Sequence, residues 1–219
     1  MERFSADDCR RDVTSLMIDP IRAYFDELAE RWDARQPANR NELLCEFITP
    51  FAAELDAAGL TLELGTGTGA LIPVVRQCAP NARLVSVDFA YQMLDHARTR
   101  AADAPLVQAD VHALPFARGG AFNLVLCHNS FPRFADKPAA LAEIRRVLRP
   151  GGWLVIAHSA GRERINAIHR EAAPVIQNDL LPTGTELGAM LIAAGFEAVS
   201  VDDAADHYIA KAQSPRAAP

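Results

Sequence analysis

Three features that would point to a membrane, to secretion or to nucleic acid are missing from this sequence. None of its apolar runs approaches the roughly 20 residues that a transmembrane helix needs. Its first residues, MERFSADDCRRDV, contain no hydrophobic segment of the signal-peptide kind. Its 22 Lys and Arg are outnumbered by 28 Asp and Glu, which leaves a formal net charge of -6. We therefore expect a cytoplasmic protein with no membrane span, no nucleic-acid partner and a small-molecule substrate.

Cysteine is also scarce. The four cysteines are Cys9, Cys45, Cys78 and Cys127, and no two of them have CxxC spacing. Neither a zinc knuckle nor a disulfide framework is predicted, so we expect reduced thiols. The chain does have 219 residues, half of them apolar, which is enough to bury the core of one α/β domain.

Apolar segments of strand length alternate with longer segments of helical period. This alternation is typical of βαβ units and predicts a largely parallel sheet. The predicted strands cover residues 61–65, 83–88, 105–110, 122–128, 153–158, 197–202 and 207–212, the last two as an antiparallel pair. The predicted helices cover residues 70–78, 91–101, 137–148 and 185–194.

The first 55 residues have helical patterning and precede the first βαβ unit. Their apolar positions at helical spacing are Ile21, Phe25, Leu28 and Trp32, followed by Leu43, Leu44, Phe47 and Ile48. We expect residues 1–55 to form a helical cap over the edge of the sheet where ligands bind. Residues 56–212 would complete the same domain, and residues 213–219 would be a frayed tail.

A glycine-rich turn follows the first predicted strand. Residues 62–69 read LELGTGTG, and their three glycines, Gly65, Gly67 and Gly69, allow the backbone to approach a ligand closely. Asp88 ends the next strand, 19 residues after Gly69, where a carboxylate can accept hydrogen bonds from both ribose hydroxyls. The pattern therefore predicts a nucleoside cofactor.

Two details separate S-adenosylmethionine from a nicotinamide dinucleotide. The dinucleotide pattern has its third glycine three positions after the second, whereas here the interval is two. Glu63 lies within the strand, where oxidoreductases have an apolar residue, and an acid there suits a ligand with an ammonium group. Both details favour S-adenosylmethionine.

Five segments occur in order between residues 61 and 159: LELGTGTG, VSVDFAYQMLDHAR, VQADVHALPF, FNLVLCHNSFPRF and AEIRRVLRPGGWLVIAHS. In this combination the sequence resembles the class I S-adenosylmethionine-dependent methyltransferases, in particular the small-molecule branch that includes the ubiquinone and menaquinone methyltransferases. The resemblance implies a Rossmann-like α/β fold with a mostly parallel seven-stranded sheet, helices on both faces and the N-terminal helical cap. It also implies S-adenosyl-L-methionine as cofactor and S-adenosyl-L-homocysteine as product.

The resemblance further implies roles for individual residues. Glu63 would hold the amino group of the methionine, Asp88 the ribose hydroxyls, and Asp110 the adenine amino group, with His112 close to the ring. The full set of residues that we expect at the cofactor is Glu63, Gly65, Thr66, Gly67, Gly69, Asp88, Phe89, Met93, Asp110, Val111 and Cys127.

Polar residues gather just past the ends of two central strands, in HNSFPRF (128–134) and HSAGRERINAIHR (158–170). We expect catalytic roles for His128, His158 and His169, and acceptor contacts for Asn129, Phe131, Arg162, Asn166 and Arg170. A histidine could act as a base, and arginines could hold an anionic acceptor. A three-histidine metal site is a weaker alternative, and no metal is expected. Each residue also has a purely structural explanation.

Together these observations predict an enzyme that moves a methyl group to a small acceptor, with quinone-like aromatics as the first class to test. Methyl transfer is an in-line displacement that depends mainly on alignment. An NAD(P)-dependent oxidoreductase and a non-catalytic S-adenosylmethionine-binding regulatory protein are the alternatives. The acceptor, the methylated atom and the choice between monomer and homodimer are left open.

Overall fold

The computed structural model describes residues 19–101 and 103–216. Its α-helices are α1 (Pro20–Trp32), α2 (Arg40–Ile48), α3 (Ala52–Ala58), α4 (Leu71–Cys78), α5 (Tyr91–Ala101), α6 (Lys137–Val147), α7 (Arg162–Arg170) and α8 (Gly184–Ala193). Its strands are β1 (Leu60–Leu64), β2 (Arg83–Asp88), β3 (Leu106–Gln108), β4 (Phe122–His128), β5 (Leu148–His158), β6 (Glu197–Asp203) and β7 (Tyr208–Gln213). None of these helices has both the length and the apolar character needed to cross a membrane.

The seven strands form one sheet in the order β3-β2-β1-β4-β5-β7-β6. Strands β1 to β5 are parallel, and β7 runs antiparallel to both β5 and β6. This arrangement confirms the Rossmann-like sheet and its antiparallel closing pair. The strand order reverses between β1 and β4, so a crevice opens at their carboxyl ends, which is where ligands bind in sheets of this kind.

The central strands are buried on both faces, as their unbroken apolar runs require. On one face, Val125, Ile144 and Ile156 belong to the core formed with α6 and α8. On the other face, Leu124 and Leu126 pack with residues of α2 and α4. The sheet is therefore a rigid base that holds the strand ends, and the loops that follow them, in place.

The N-terminal helices cover the ligand edge, which confirms the predicted cap. Asp19 caps α1 by accepting a hydrogen bond from the backbone N–H of Ile21 at 2.8 Å. On the same helix, Phe25 packs against Ala90 and Met93 at the start of α5. The cap therefore lies directly beside the end of β2.

The structure corrects the prediction for the tail. Gln213 is the last residue of β7, and Ser214 is buried and donates its backbone N–H to the carbonyl of Gly152 at 2.8 Å. The chain is therefore ordered beyond the predicted end of the domain. Residues 217–219 of the predicted tail, like residues 1–18 of the predicted cap and Cys9 among them, lie outside the described residues.

Candidate active site

The glycine-rich turn after β1 needs glycine at its first position for a steric reason. Gly65 has φ +78°, and a Cβ at this position would lie 2.3 Å from the Cβ of Ser130. Ser130 follows β4 and donates its hydroxyl to the carbonyl of Leu64 at 2.6 Å. The turn is therefore packed tightly against the loop after β4, so the ends of β1 and β4 stay in contact.

Gly67 has a different environment. Its φ is +53°, and the nearest described atom to a Cβ there would be Nε1 of Trp32 at 4.0 Å. Its backbone N–H donates to Oδ2 of Asp88 at 2.8 Å, and Oδ1 of Asp88 accepts from the N–H of Ala90 at 3.0 Å. Burial raises the pKa of Asp88 to about 6 against these hydrogen bonds. An ionised carboxylate has about four acceptor positions, so Asp88 can still accept a hydrogen bond from a ligand hydroxyl.

Glu63 is a buried acid at the same edge. Its Oε2 accepts hydrogen bonds from the hydroxyls of Thr66 at 2.8 Å and Ser86 at 2.6 Å. Burial raises its pKa, while the two hydroxyls oppose that rise. A cation bound beside Glu63 would favour its ionised form.

Two clefts open on either side of the glycine turn. The first, which we call the Asp88 cleft, is lined by Asp19, Ile21, Phe25, Trp32, Leu64, Gly65, Gly67, Val87, Asp88, Phe89, Met93, Ala109, Asp110, Val111, His112, Asn129, Ser130, Arg133, Phe134 and Ala135. The second, the Glu63 cleft, is lined by Trp32, Gln36, Pro37, Arg40, Leu43, Leu44, Glu63, Gly65, Thr66, Gly67, Ala70, Leu71, His128, Asn129 and Ser159. They share Trp32, Gly65, Gly67 and Asn129, so the two clefts adjoin at the glycine turn.

Asp110 stands at the rim of the Asp88 cleft in a defined orientation. Its Oδ1 accepts from the backbone N–H of His112 at 2.8 Å and lies 2.6 Å from Nδ1 of the same residue. Nε2 of His112 lies 3.2 Å from both the backbone nitrogen and the carbonyl oxygen of Asp136, so this ring nitrogen has a partner in either tautomer. This pair leaves the second oxygen of Asp110 for a ligand amino group.

The cap is joined to the glycine turn through Asp33, which follows α1. Its Oδ1 accepts from the hydroxyl of Thr68 at 2.6 Å and from Arg40 at 2.9 Å, and its Oδ2 accepts from Arg100 at 2.7 Å. Burial opposes ionisation, but Thr68 and the two arginines outweigh it and lower the pKa of Asp33. The charged network therefore connects the cap, the turn and α5.

Among the three predicted catalytic histidines, His128 lines the Glu63 cleft, beside Phe47 with ring centroids 4.9 Å apart. Its Nε2 accepts from the side-chain amide of Asn129 at 3.2 Å. Burial, aided by the charge of Arg40, lowers the pKa of His128 to about 4. The imidazole is therefore neutral near pH 7.

His158 does not face either cleft. It is 1% exposed, its ring lies 6.1 Å from that of Tyr208, and its Nε2 has no hydrogen-bond partner among the described residues. Burial lowers its pKa to about 3. The prediction that His158 contacts the reacting groups is wrong, because its ring is enclosed by the core.

His169 is a partner of Arg133. Nη1 of Arg133 donates to Nε2 of His169 at 2.8 Å, and Nδ1 of His169 bonds to the carbonyl of Asp179. Burial and the charge of Arg133 lower the pKa of His169. Because both ring nitrogens are occupied and the ring lies outside both clefts, the predicted catalytic contact is wrong. The guanidinium that His169 orients, however, lines the Asp88 cleft.

Several predicted acceptor residues have structural roles instead. The side-chain amide of Asn166 bonds to both the carbonyl and the N–H of Leu181, at 3.0 and 2.8 Å. Arg162 forms an ion pair with Asp203 at 2.9 Å, and Arg170 is exposed on the same helix. Phe131 is fully buried in the core. Asn129, with φ +54°, is the predicted acceptor residue that the structure does place in the clefts.

Two residues that the sequence predicted at the cofactor line neither cleft. Cys127 is fully buried in the core, so its thiol does not reach either cleft. Gly69 packs on α5, where a Cβ would lie 2.9 Å from that of Ala97. Of the cofactor residues expected from the sequence, those that line a cleft are Glu63, Gly65, Thr66, Gly67, Asp88, Phe89, Met93, Asp110 and Val111.

The sequence analysis missed Arg40 and Arg133, and it gave Trp32 only as a residue of the cap. The polar segment HNSFPRF contains Arg133, but nothing in the pattern distinguished it from its neighbours, and Arg40 belongs to no motif. Arg133 lies 5.4 Å over the ring of Phe25, and Arg40 reaches Asp33. Within the described chain, no group of three His, Cys, Asp or Glu side chains is placed to hold a metal ion, so the three-histidine alternative finds no support.

Comparison with known proteins shows which family has this sequence. A family model described as "Methyltransferase domain" matches residues 62–156. A malonyl-[acyl-carrier protein] O-methyltransferase of Geobacter sulfurreducens is 30% identical over 200 residues, covering 85% of this chain and 74% of that protein. A demethylmenaquinone methyltransferase of Thermus thermophilus is 44% identical over 99 residues, covering 43% of this chain but only 44% of that protein. The chain thus spans less than half of the Thermus relative.

The fold comparison agrees. A S-adenosylmethionine-dependent methyltransferase from Aquifex aeolicus superimposes with a TM-score of 0.65 at 16% identity, covering 86% of this chain and 98% of that one. The chain belongs to the class I S-adenosylmethionine-dependent methyltransferases, which confirms the resemblance seen in its motifs. The cofactor of this family is S-adenosylmethionine, and the family supports it over a nicotinamide dinucleotide.

The residues present fit this cofactor. Asp88 offers two carboxylate oxygens, and the space at Gly67 would be filled by any larger side chain. Glu63 supplies a carboxylate in the second cleft, where an ammonium group can pair with it. The two connected clefts match a ligand with a nucleoside end and a charged amino-acid end.

Proposed function

We propose that this chain transfers a methyl group from S-adenosylmethionine to a small-molecule acceptor. The observation that carries the proposal is the junction of the two clefts at Gly65 and Asn129, where a ligand held at both ends would place its centre. The cofactor supplies an electrophilic methyl group on a sulfonium centre. The protein would provide alignment, which is the main requirement of an in-line displacement.

The positions of the cleft residues support a binding role for each. Asp88 would accept the ribose hydroxyls, Phe89 and Val111 would enclose the adenine, and Asp110 would accept its amino group. Glu63 would pair with the ammonium group in the second cleft, where Arg40 is placed to meet a carboxylate. These six residues would hold the ligand at both ends and leave Asn129 and His128 beside its centre.

The acceptor would approach from the part of the Asp88 cleft that the cap closes. Phe25, Trp32 and Phe134 give this part an aromatic lining, which favours an aromatic acceptor such as a quinol. The Thermus relative is named for demethylmenaquinone, which agrees with this class. Quinone-like aromatics are therefore our leading substrate proposal.

A carboxylate acceptor is the second candidate, and Arg133 is the observation that favours it. Its guanidinium lines the cleft, and Asp179, the acid beside it, is 3.9 Å from Nε. Lys137 lies close to the same acid, so the local charge is positive. The Geobacter relative is named for the methylation of malonyl-[acyl-carrier protein], a carboxylate acceptor.

The first test is calorimetric titration with S-adenosylhomocysteine, with NADH run in parallel. We expect micromolar binding of the first and none of the second. The second test incubates the protein with methyl-labelled S-adenosylmethionine and either simple quinols or malonyl thioesters, and follows transfer of label. Asp88→Ala serves as the control that should lose both binding and transfer. Binding of NADH alone would overturn the proposal, and cofactor binding without transfer to any acceptor would favour a regulatory protein.

Three further points remain proposals of the sequence: a cytoplasmic location, the absence of a nucleic-acid partner and a monomeric or homodimeric state. The acidic charge balance supports the second, because nucleic-acid affinity comes largely from Lys and Arg. Size-exclusion chromatography with light scattering would test the third.

A further inference from the structure

Two cysteines that are far apart in sequence have their sulfur atoms side by side. The Sγ atoms of Cys45 and Cys78 are 3.5 Å apart, although 33 positions separate the residues. A disulfide bond has an S–S length of about 2.05 Å, so the two atoms are only about 1.5 Å from bonding distance. Bond formation therefore needs only a small local movement of the two residues.

The pair connects the cap to the sheet domain. Cys45 is on α2, which carries Leu44 into the core and Arg40 into the Glu63 cleft. Cys78 is the last residue of α4, the helix that begins just after the glycine turn. Because Cys78 ends its helix, its backbone can adjust without breaking the hydrogen bonds of a helix interior.

Both thiols are accessible to small reagents. Cys45 and Cys78 are each half-buried at the edge of an apolar cluster, whereas Cys127 is fully buried in the main core. The hydrogen bond to Cys78 raises the pKa of Cys45, so Cys45 is not an unusually acidic nucleophile. Its advantage is proximity, because the second thiol is already in place to complete the bond.

We propose that Cys45 and Cys78 form a thiol–disulfide site at which a low-molecular-weight disulfide, such as oxidised glutathione, cross-links the cap to the sheet domain. One thiolate attacks the glutathione disulfide and releases one glutathione thiol. The other thiolate then attacks the protein sulfur of the mixed disulfide and releases the second. The two cysteines lose two protons and two electrons, and one oxidised glutathione becomes two reduced molecules.

The cross-link holds one wall of the Glu63 cleft. It ties α2, and with it Arg40 and Leu43, to the helix that follows the glycine turn. The cap is also joined to this region by apolar packing of Leu44 and Ile48 against α4 and by the partly exposed ion pairs of Asp33, so the cross-link adds a covalent connection to an existing contact. The bond forms whether or not the chain transfers methyl groups, so the inference does not depend on the proposed function.

The test is peptide mapping of the full-length protein after equilibration with oxidised and reduced glutathione at several ratios. Trypsin cleaves after Arg40, Arg76 and Arg83, so Cys45 falls in the peptide 41–76 and Cys78 in the peptide 77–83. After free thiols are alkylated, we expect these two peptides as a linked pair. Reduction should separate them, and the peptide 119–133, which holds Cys127, should stay unlinked.

A stability measurement gives an independent readout. Oxidation should raise the Tm of the wild-type protein by on the order of 5 °C, because a cross-link restricts the unfolded chain. The shift should vanish in Cys45→Ser and in Cys78→Ser and persist in Cys9→Ser. Stable glutathione adducts on Cys45 or Cys78 without the linked peptides would overturn the proposal, and so would linkage of either residue to Cys9 or Cys127 in place of the pair. The mapping on wild-type protein decides the matter even if a variant fails to fold.

Discussion

The carboxylate of Asp88 accepts a hydrogen bond from the backbone N–H of Gly67 at 2.8 Å, so the group expected to bind the ribose also shapes the glycine turn. The same side chain caps the start of α5 through Ala90. Ligand affinity and loop order are therefore coupled through one residue. A substitution there acts on both.

Asp88→Ala should weaken S-adenosylhomocysteine binding by more than tenfold. The variant loses the charge-assisted hydrogen bonds to the ligand, and tenfold corresponds to about 1.4 kcal/mol. Calorimetric titration measures the effect. Asp95→Ala, an exposed substitution on α5, is the matched control and should bind as wild type. Unchanged affinity in Asp88→Ala would show that the cofactor lies elsewhere.

Gly65→Ala and Gly67→Ala should fail in different ways. The new Cβ at Gly65 would meet Ser130 at 2.3 Å, so this variant should lose about 3 kcal/mol or more of stability. A Cβ at Gly67 would make only ordinary contact with Trp32, and its positive φ should cost only about 1 kcal/mol. We expect Gly67→Ala to fold and yet to lose cofactor affinity.

Urea unfolding and calorimetric titration together separate these two outcomes. Adding Ser130→Gly to Gly65→Ala should restore part of the lost stability, because it removes the atom that clashes. No restoration would mean that the strain at Gly65 comes from its backbone angles alone. Equal stability losses in the two alanine variants would contradict the steric assignment.

Asp33→Ala should loosen the cap. It removes the acceptor shared by Thr68, Arg40 and Arg100, which should lower stability by about 1 kcal/mol because the pairs are partly exposed. The lowered pKa of Asp33 means that its contribution is present above its ordinary pKa and is lost as the pH falls through the folded-state value. The stability difference from wild type should therefore shrink under acid conditions. Glu30→Ala, an exposed change on α1, should show no such effect.

Much of this site could be predicted because its signals are local in sequence. The glycine turn, Asp88 and Asp110 each lie at or just after the carboxyl end of a strand, so the sheet places them without further information. Arg133 could not be found this way, because its position depends on Phe25 of the cap and on His169 of α7.

The predicted acceptor residues on α7 show a second limit of prediction from sequence. Helical spacing correctly placed Asn166 and His169 on one face of a helix. It could not show that this face meets the backbone of Leu181 and Asp179 instead of the ligand. Spacing within a helix says which residues share a face, and only the packing of distant segments decides what that face contacts.

His158 gives a prediction that separates a structural role from a catalytic one. Its pKa in the folded protein is about 3, below the ordinary value of 6.5, so the unfolded chain binds the extra proton first. Stability should therefore be complete above about pH 6.5 and should fall with acidification, by up to about 1.4 kcal/mol per pH unit from this group. His158→Phe removes a buried ring nitrogen without a described partner, so it should reduce the slope of urea-unfolding stability between pH 6.5 and 4.5 and leave cofactor affinity unchanged. His128, whose pKa burial also lowers, keeps part of the acid sensitivity in this variant. His207→Phe is the control, because the hydrogen bond to Asp202 raises the pKa of that half-buried histidine and its loss should not reduce the acid sensitivity. If His158→Phe leaves the pH profile unchanged and abolishes only methyl transfer, His158 has a catalytic role and the structural assignment is wrong.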